Sequence, residues 1–150
     1  MDDGIASAGV TARTNRMLRA EGYLSLLLRL EAVVLLAALT AALMPTAWMA
    51  STHAWLGLGE MPSGPLVQYL TRSLSLVYAT WVPVLWLTAC DVRHYRTLIG
   101  VMAWTRFALG LGLLALDVAV GMPWLWLLAE GPTIMALSLV VAALVRRVGR

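Results

Sequence analysis

The sequence predicts an all-α fold: a four-helix transmembrane bundle with both termini in the cytoplasm and a short interfacial helix in the first external loop. Hydrophobic residues make up 61% of the chain and charged residues only 13%, so polar side chains are too few to cover a water-soluble globule. Four apolar runs are each long enough to cross a ~30 Å hydrocarbon core as a helix of ~20 residues. Arginine-bearing segments alternate with arginine-free loops between these runs, which is the charge bias of a multi-pass membrane protein.

A basic arm precedes the first helix. We expect residues 1–22 to form a mobile cytoplasmic arm whose last turns lie on anionic lipid, because three arginines follow a polar, small-residue start. These arginines are Arg13, Arg16 and Arg19. The first crossing is predicted at residues 24–44, and Pro45 ends it because proline cannot continue the helical hydrogen bonds. Its apolar run exceeds a signal-peptide core of ~7–15 residues, so we interpret it as an uncleaved anchor.

The connector between Pro45 and Pro65 carries no arginine, which predicts that it lies outside the cytoplasm. Trp48 and Trp55 fall at helical spacing within it. We therefore expect a short helix in the membrane interface, with tryptophans at headgroup depth. Gly57 and Gly59 are expected to end this helix.

The other crossings belong to a single predicted transmembrane domain over residues 23–147. They are expected at residues 67–89, 98–120 and 124–145. Small residues four apart let helix backbones approach closely in lipid, and they recur at Ala37 and Ala41 in the first helix and at Ala108 and Gly112 in the third. We expect these faces to pack against other helices.

The loops between these crossings fix the predicted orientation. Residues 91–96 join the second and third crossings and contain Arg93 and Arg96, which predicts a cytoplasmic turn. The turn at residues 121–123 has no arginine and is expected outside. The tail at residues 146–150 contains arginine again and is expected in the cytoplasm.

Six charged side chains fall within the apolar runs, where an ionisable group is a functional-site hypothesis by default. At a helical rise of ~1.5 Å per residue, Glu31 and Arg106 reach a similar depth from the cytoplasmic side. Arg72, Asp117 and Glu130 reach one level from the external side. We therefore predict an inner ionic pair, Glu31 with Arg106, and an outer ionic cluster, Arg72 with Asp117 and Glu130.

Two interpretations of these charges remain open. In the first, each arginine pairs with a carboxylate and holds helices in register, because a lone charge in lipid costs several kcal/mol. In the second, the outer cluster binds a proton or a small cation, because two carboxylates face one arginine. Pro132 adds a related alternative: it either breaks the fourth helix beside Glu130 or lies in the first turn of that helix, where proline costs little.

The histidines and the single cysteine limit metal and cofactor chemistry. His53 is expected outside and His94 inside, so they cannot ligate one haem, and Cys90 alone excludes an internal disulfide or a multi-thiolate metal site. His53 with Glu60 is a candidate external binding pair. We predict no metal site and no cofactor. Membrane orientation, rather than nucleic-acid binding, explains the sequence pI of about 9.6.

Several short motifs carry a resemblance to known membrane proteins. They are His53-x-x-Leu56-Gly57-Leu58-Gly59-Glu60-Met61-Pro62, Tyr69-Leu70-Thr71-Arg72-Ser73, Asp91-Val92-Arg93-x-Tyr95-Arg96, Gly121-Met122-Pro123-Trp124 and Glu130-Gly131-Pro132. With these motifs, which are spread over most of residues 24–147, the chain resembles a family of small four-helix bacterial inner-membrane proteins of unknown function. Its outline is also similar to that of DoxX-type membrane proteins. The resemblance implies a bacterial inner (plasma) membrane location and no catalytic residue.

The functional expectations follow from how little of the chain lies outside lipid. No nucleophile elbow, phosphate loop or metalloprotease helix motif occurs in the sequence. We expect a non-enzymatic subunit or accessory protein that packs, within the lipid bilayer, with itself or with other membrane subunits. One alternative is a small proton- or cation-coupled transporter that uses Arg72, Asp117 and Glu130. A further alternative is a redox membrane protein that binds quinone near the external tryptophans.

Overall fold

The computed structural model describes the backbone of residues 3–148 and the side chains of residues 14–148. Within that range the chain forms seven helices and no strand. The helices are α1 (Asp3–Leu36), α2 (Ala38–Leu43), α3 (Thr46–Trp55), α4 (Pro65–Cys90), α5 (Arg96–Val120), α6 (Trp124–Ala129) and α7 (Gly131–Val148). Parts of the predicted arm and tail lie outside the described residues, namely Met1, Asp2, the Arg13 side chain, Gly149 and Arg150.

Four helical spans are long and apolar enough to cross a membrane. They are Thr14–Leu43, Pro65–Cys90, Arg96–Val120 and Trp124–Val148. In the most apolar 18-residue stretch of the first span, only 17% of the residues are buried. The corresponding stretches of the other three spans are each only 22% buried. An exposed apolar surface of this extent would drive association in water, whereas lipid tails solvate it. The predicted all-α class with four potential crossings is confirmed.

The first span begins earlier than predicted and is interrupted within its length. The arm expected before it is helical from Asp3 onward, because α1 runs without interruption to Leu36. The span is then divided at Ala37, which belongs to neither α1 nor α2. The Ala37 carbonyl oxygen accepts hydrogen bonds from the Thr40 backbone N–H at 3.0 Å and from the Thr40 hydroxyl at 2.6 Å. This bonding to the third residue along the chain tightens the turn and interrupts the α-helix.

The short helix expected in the first external loop is α3. It begins directly after Pro45, whose extended ψ of 143° separates it from α2. It ends before Gly57 and Gly59, which have φ of 76° and 79° and so adopt the left-handed conformation that favours glycine. Trp48 and Trp55 on this helix are exposed.

The chain divides into two compact units. Unit 1 comprises the residues up to Leu28 together with those from Thr88 onward, and unit 2 comprises Arg29–Leu87. Within unit 1, α5 packs against α7, and the Ser25 hydroxyl on α1 donates to the Ala89 carbonyl oxygen at 2.7 Å. The largest fully buried apolar side chains of unit 1 are Leu24, Leu28, Ile99 and Val141.

The helices α5 and α7 are in backbone contact at two glycines, Gly110 and Gly131. A Cβ added at Gly110 would lie 2.8 Å from Met135 Cγ and 2.9 Å from the Gly131 carbonyl oxygen, and one added at Gly131 would lie 2.8 Å from the Gly110 carbonyl oxygen. Only glycine allows this approach. The pair predicted from its spacing, Ala108 and Gly112, is exposed, and a Cβ added at Gly112 would meet no atom within 4 Å.

Candidate functional site

Arg72, on α4, caps the end of α2. Its Nη1 donates to the Ala42 carbonyl oxygen at 2.6 Å, and its Nη2 donates to the Met44 carbonyl oxygen at 2.9 Å. Since α2 ends at Leu43, these carbonyls lie where a helix has no further backbone donors. The end of a helix also carries partial negative charge. The forked guanidinium therefore satisfies two carbonyls and offsets that charge.

The backbone partners of Arg72 were missed by sequence reasoning, which paired this arginine with carboxylates. Main-chain carbonyls leave no trace in a pattern of residue types. The signal that indicates them is Pro45, which ends the first predicted crossing near the depth that the sequence predicts for Arg72. An unsatisfied carbonyl at membrane depth costs several kcal/mol, so a donor from a neighbouring helix is expected there.

Glu130 stands at a break in the fourth crossing. The helix α6 ends at Ala129 and α7 begins at Gly131, and Glu130 between them has φ −86° and ψ −80°. Its Oε2 accepts a hydrogen bond from the Trp126 Nε1–H at 2.6 Å, which ties the carboxylate to α6. Both alternatives for Pro132 hold: the crossing is broken beside Glu130, and Pro132 lies in the first turn of α7.

Asp117 is the buried acid among the charged residues of the spans. It is 6% exposed, and its Oδ2 has no hydrogen-bond partner within the part of the chain that the structure describes. The backbone at this point closes α5, because the Met122 N–H donates to the Asp117 carbonyl oxygen at 2.9 Å and Gly121 has a left-handed φ of 75°. This closure fixes Asp117 in the last turn of α5. A buried carboxyl oxygen without a donor is costly, which makes it a candidate ligand position.

The outer ionic cluster as a whole remains a prediction. Arg72 belongs to unit 2, whereas Asp117 and Glu130 belong to unit 1. Within its own unit Arg72 binds two carbonyls and Glu130 binds an indole. Asp117 is the member of the three whose buried oxygen lacks a donor among the described residues.

The inner ionic pair, Glu31 with Arg106, also joins residues of different units and remains a prediction. Both side chains are half-buried. Arg29, close to Glu31 on α1, places its guanidinium carbon 5.8 Å from the centre of the Trp86 ring. This distance is that of a cation–π contact, so an exposed arginine inside the first span lies over an aromatic face.

His53 and Glu60, the candidate external pair, lie on one surface turn. The His53 Nδ1 is 3.1 Å from the Gly59 carbonyl oxygen. A carbonyl only accepts, so this hydrogen bond is donated by the Nδ1–H of the ring. Glu60 follows Gly59 and is exposed. Within residues 14–148, no group of three or more His, Cys, Asp and Glu side chains is placed to hold a metal ion.

An ion pair that the sequence did not predict joins Glu21, on α1, to Arg93, in the turn before α5. The Arg93 Nε donates to Glu21 Oε1, and the Arg93 side chain is 60% exposed. The hydrogen bond to Glu21 and its negative charge raise the pKa of Arg93 above its ordinary value. Sequence reasoning treated Arg93 only as a marker of orientation. The available signal was that both residues lie next to ends of crossings that the sequence predicts on the same side of the membrane.

The four spans and their buried polar groups have the features of a multi-pass integral membrane protein. Ser75 and Ser138 are buried, and each hydroxyl donates to a carbonyl oxygen of its own helix, at 2.9 Å and 2.7 Å. Polar groups in lipid require such internal partners. No family model matches this chain, and neither a curated protein nor a solved structure is detectably similar to it.

Proposed function

We propose that this protein is a non-enzymatic subunit or accessory protein of a membrane assembly, and that it lies in the bacterial inner membrane with both termini in the cytoplasm. The distribution of arginine supports this orientation. The end of the arm, the turn between α4 and α5 and the end of α7 carry arginine, whereas the segment between α2 and α4 and the turn between α5 and α6 carry none. Arginine-rich segments of this kind remain on the cytoplasmic side.

The observation that carries the proposed role is an exposed face of small residues on α5. Its members are Thr105, Ala108, Gly112, Ala115 and Ala119, and all five are exposed. They recur every three or four residues, so they share one side of the helix. A helix face without bulky side chains lets a second membrane helix approach closely. Gly110 faces α7 within this chain, so the small face on α5 is a different one.

Filling this face tests the role. Gly112→Leu adds bulk where an added Cβ meets no atom of the chain within 4 Å, so the internal packing is expected to survive. We expect this variant to lose the partner or second copy that the wild type retains, as measured by crosslinking in membranes and purification in mild detergent. Val120→Phe is the matched control, because it adds bulk to an exposed position of α5 that is not three or four residues from any member of the small face. Identical crosslinks in wild type and Gly112→Leu would contradict the proposal.

A second candidate function is proton- or cation-coupled transport, and the buried Asp117 favours it. Its Oδ2 lacks a donor among the described residues, and a bound proton or small cation would remove the resulting cost. In liposomes with an entrapped pH-sensitive dye, Asp117→Asn and Glu130→Gln should then abolish flux, whereas the exposed Glu60→Gln should not. Wild-type flux no greater than that of empty liposomes would exclude this function.

A further inference from the structure

A cleft opens at the end of unit 1 where two spans meet the predicted cytoplasmic side. Its volume is about 330 Å³. The lining consists of Met17, Glu21, Arg93, Arg96 and Val148. Arg96 is the first residue of α5 and Val148 the last described residue of α7. The cleft therefore lies at the ends of two apolar spans, which is the depth of lipid headgroups in a bilayer.

The charges that line this cleft favour an anion. Two guanidinium groups, those of Arg93 and Arg96, stand against the single carboxylate of Glu21. Arg16 precedes the lining residue Met17, and two arginines precede Val148. Asp91 is the other nearby acid, and its Oδ1 accepts the His94 N–H at 2.9 Å. The balance of charge around the cleft is therefore positive.

Arg93 has N–H donors beyond the one that binds Glu21. Its ion pair with Glu21 uses the Nε–H, and a guanidinium carries four further N–H donors on its two terminal nitrogens. These donors form the fork that matches the oxygens of a phosphate. With its side chain 60% exposed, Arg93 is accessible from the aqueous side.

The apolar lining indicates what kind of phosphate fits. Met17 and Val148 give the cleft two apolar walls beside its charged ones. A free phosphate ion makes no apolar contacts with such walls, whereas the glycerol and upper acyl carbons of a lipid would pack against them. We propose that this cleft binds the phosphate group of an anionic membrane lipid, with Arg93 as the principal donor.

The test uses the full-length protein in mild detergent and counts bound lipid by native mass spectrometry. Phosphatidylglycerol is the probe, and phosphatidylcholine and inorganic phosphate are the comparison ligands. We expect Arg93→Gln to weaken phosphatidylglycerol binding about fivefold, the change expected for one basic residue near anionic lipid. Arg29→Gln, which removes an exposed arginine of unit 2, is the matched control and should leave binding unchanged.

Glu21→Gln separates lipid binding from a purely structural role. Both this variant and Arg93→Gln break the same ion pair, but only Glu21→Gln keeps the guanidinium and removes a competing negative charge. We expect it to bind phosphatidylglycerol as tightly as the wild type or more tightly. This arm decides the question even if Arg93→Gln does not fold. Weaker binding by Glu21→Gln, equal binding by Arg93→Gln and Arg29→Gln, or no preference for phosphatidylglycerol over inorganic phosphate would each overturn the proposal.

Discussion

The guanidinium of Arg72 lies 2.6 Å from the carbonyl oxygen of Ala42, so that a side chain of α4 closes the end of α2. A helix normally relies on its own residues or on water for this purpose. Within a membrane span, water is scarce and an unpaired carbonyl is costly. Arg72, which the sequence places within an apolar run, is thus a structural cap.

Replacing Arg72 tests this cap. Arg72→Gln should lower the free energy of unfolding by about 2–3 kcal/mol, because hydrogen bonds from a charged group are worth more than neutral ones. Arg72→Lys should recover only part of this loss, since an ammonium lacks the fork that reaches both carbonyls. Unfolding in mixed detergent and dodecyl sulfate micelles measures both. If Asp117→Asn proved as destabilising as Arg72→Gln, an ion pair rather than the cap would be the main role of Arg72.

The glycine contact between α5 and α7 predicts two different outcomes for glycine-to-alanine substitutions. Gly110→Ala and Gly131→Ala each place a Cβ 2.8–2.9 Å from a backbone oxygen, so each should cost about 1–3 kcal/mol through overpacking. Gly112→Ala meets no atom and should be neutral or stabilise the helix by up to about 1 kcal/mol. Thermal unfolding of the three variants provides the comparison. Equal stability of Gly110→Ala and Gly112→Ala would contradict the contact.

The bond between Trp126 and Glu130 predicts an energetic coupling across the break between α6 and α7. Trp126→Phe removes the donor and Glu130→Gln removes the charge of the acceptor. In a double-mutant cycle the two changes should be non-additive by about 0.5–3 kcal/mol, the range for residues in direct contact. Additive losses would show that the indole and the carboxylate are not bonded. Trp124→Phe, at an exposed neighbouring position, is a control that should not couple to Glu130.

The ion pair of Arg93 and Glu21 predicts that the stability of the protein depends on salt concentration. It also predicts that titration of Arg93 does not change the stability near neutral pH. The pKa of Arg93 is raised in the folded chain, so its contribution to stability is present below the unfolded pKa and is lost only as the pH rises through the folded one. Arg93 therefore stays charged between about pH 6 and pH 9. Added salt should shrink the stability difference between wild type and Glu21→Gln, because the exposed pair is screened. A difference that is unchanged at high salt would contradict this interpretation.

Hydropathy was sufficient to predict those elements of the fold that depend on the average over many residues. All four spans and the short helix α3 were predicted, because an apolar or tryptophan-bearing run averages over many positions. Single contacts were not predicted. The depth of a residue along a helix gives no information on its rotation about the helix axis, so the close contact was expected at Ala108 and Gly112 although it occurs at Gly110.

The same limit applies to the charged residues. Their depth grouped Arg72 with two acids, yet the partners that the structure gives it are carbonyls. Residue types cannot show where a helix will leave its carbonyls unpaired. Likewise the break at Ala37 depends on one hydroxyl, that of Thr40, and on local hydrogen bonding that no hydropathy average detects.

We propose that the chain crosses the membrane four times with its arginine-bearing ends on the cytoplasmic side, and labelling of Cys90 tests this topology. This single cysteine is exposed and ends α4, next to the arginine-bearing turn. A membrane-impermeant maleimide should label it in inside-out vesicles but not in right-side-out ones. In a Cys90→Ser background, Ser51→Cys on α3 should show the reverse. Labelling of Cys90 in intact right-side-out vesicles, or of both positions from the same side, would contradict the account.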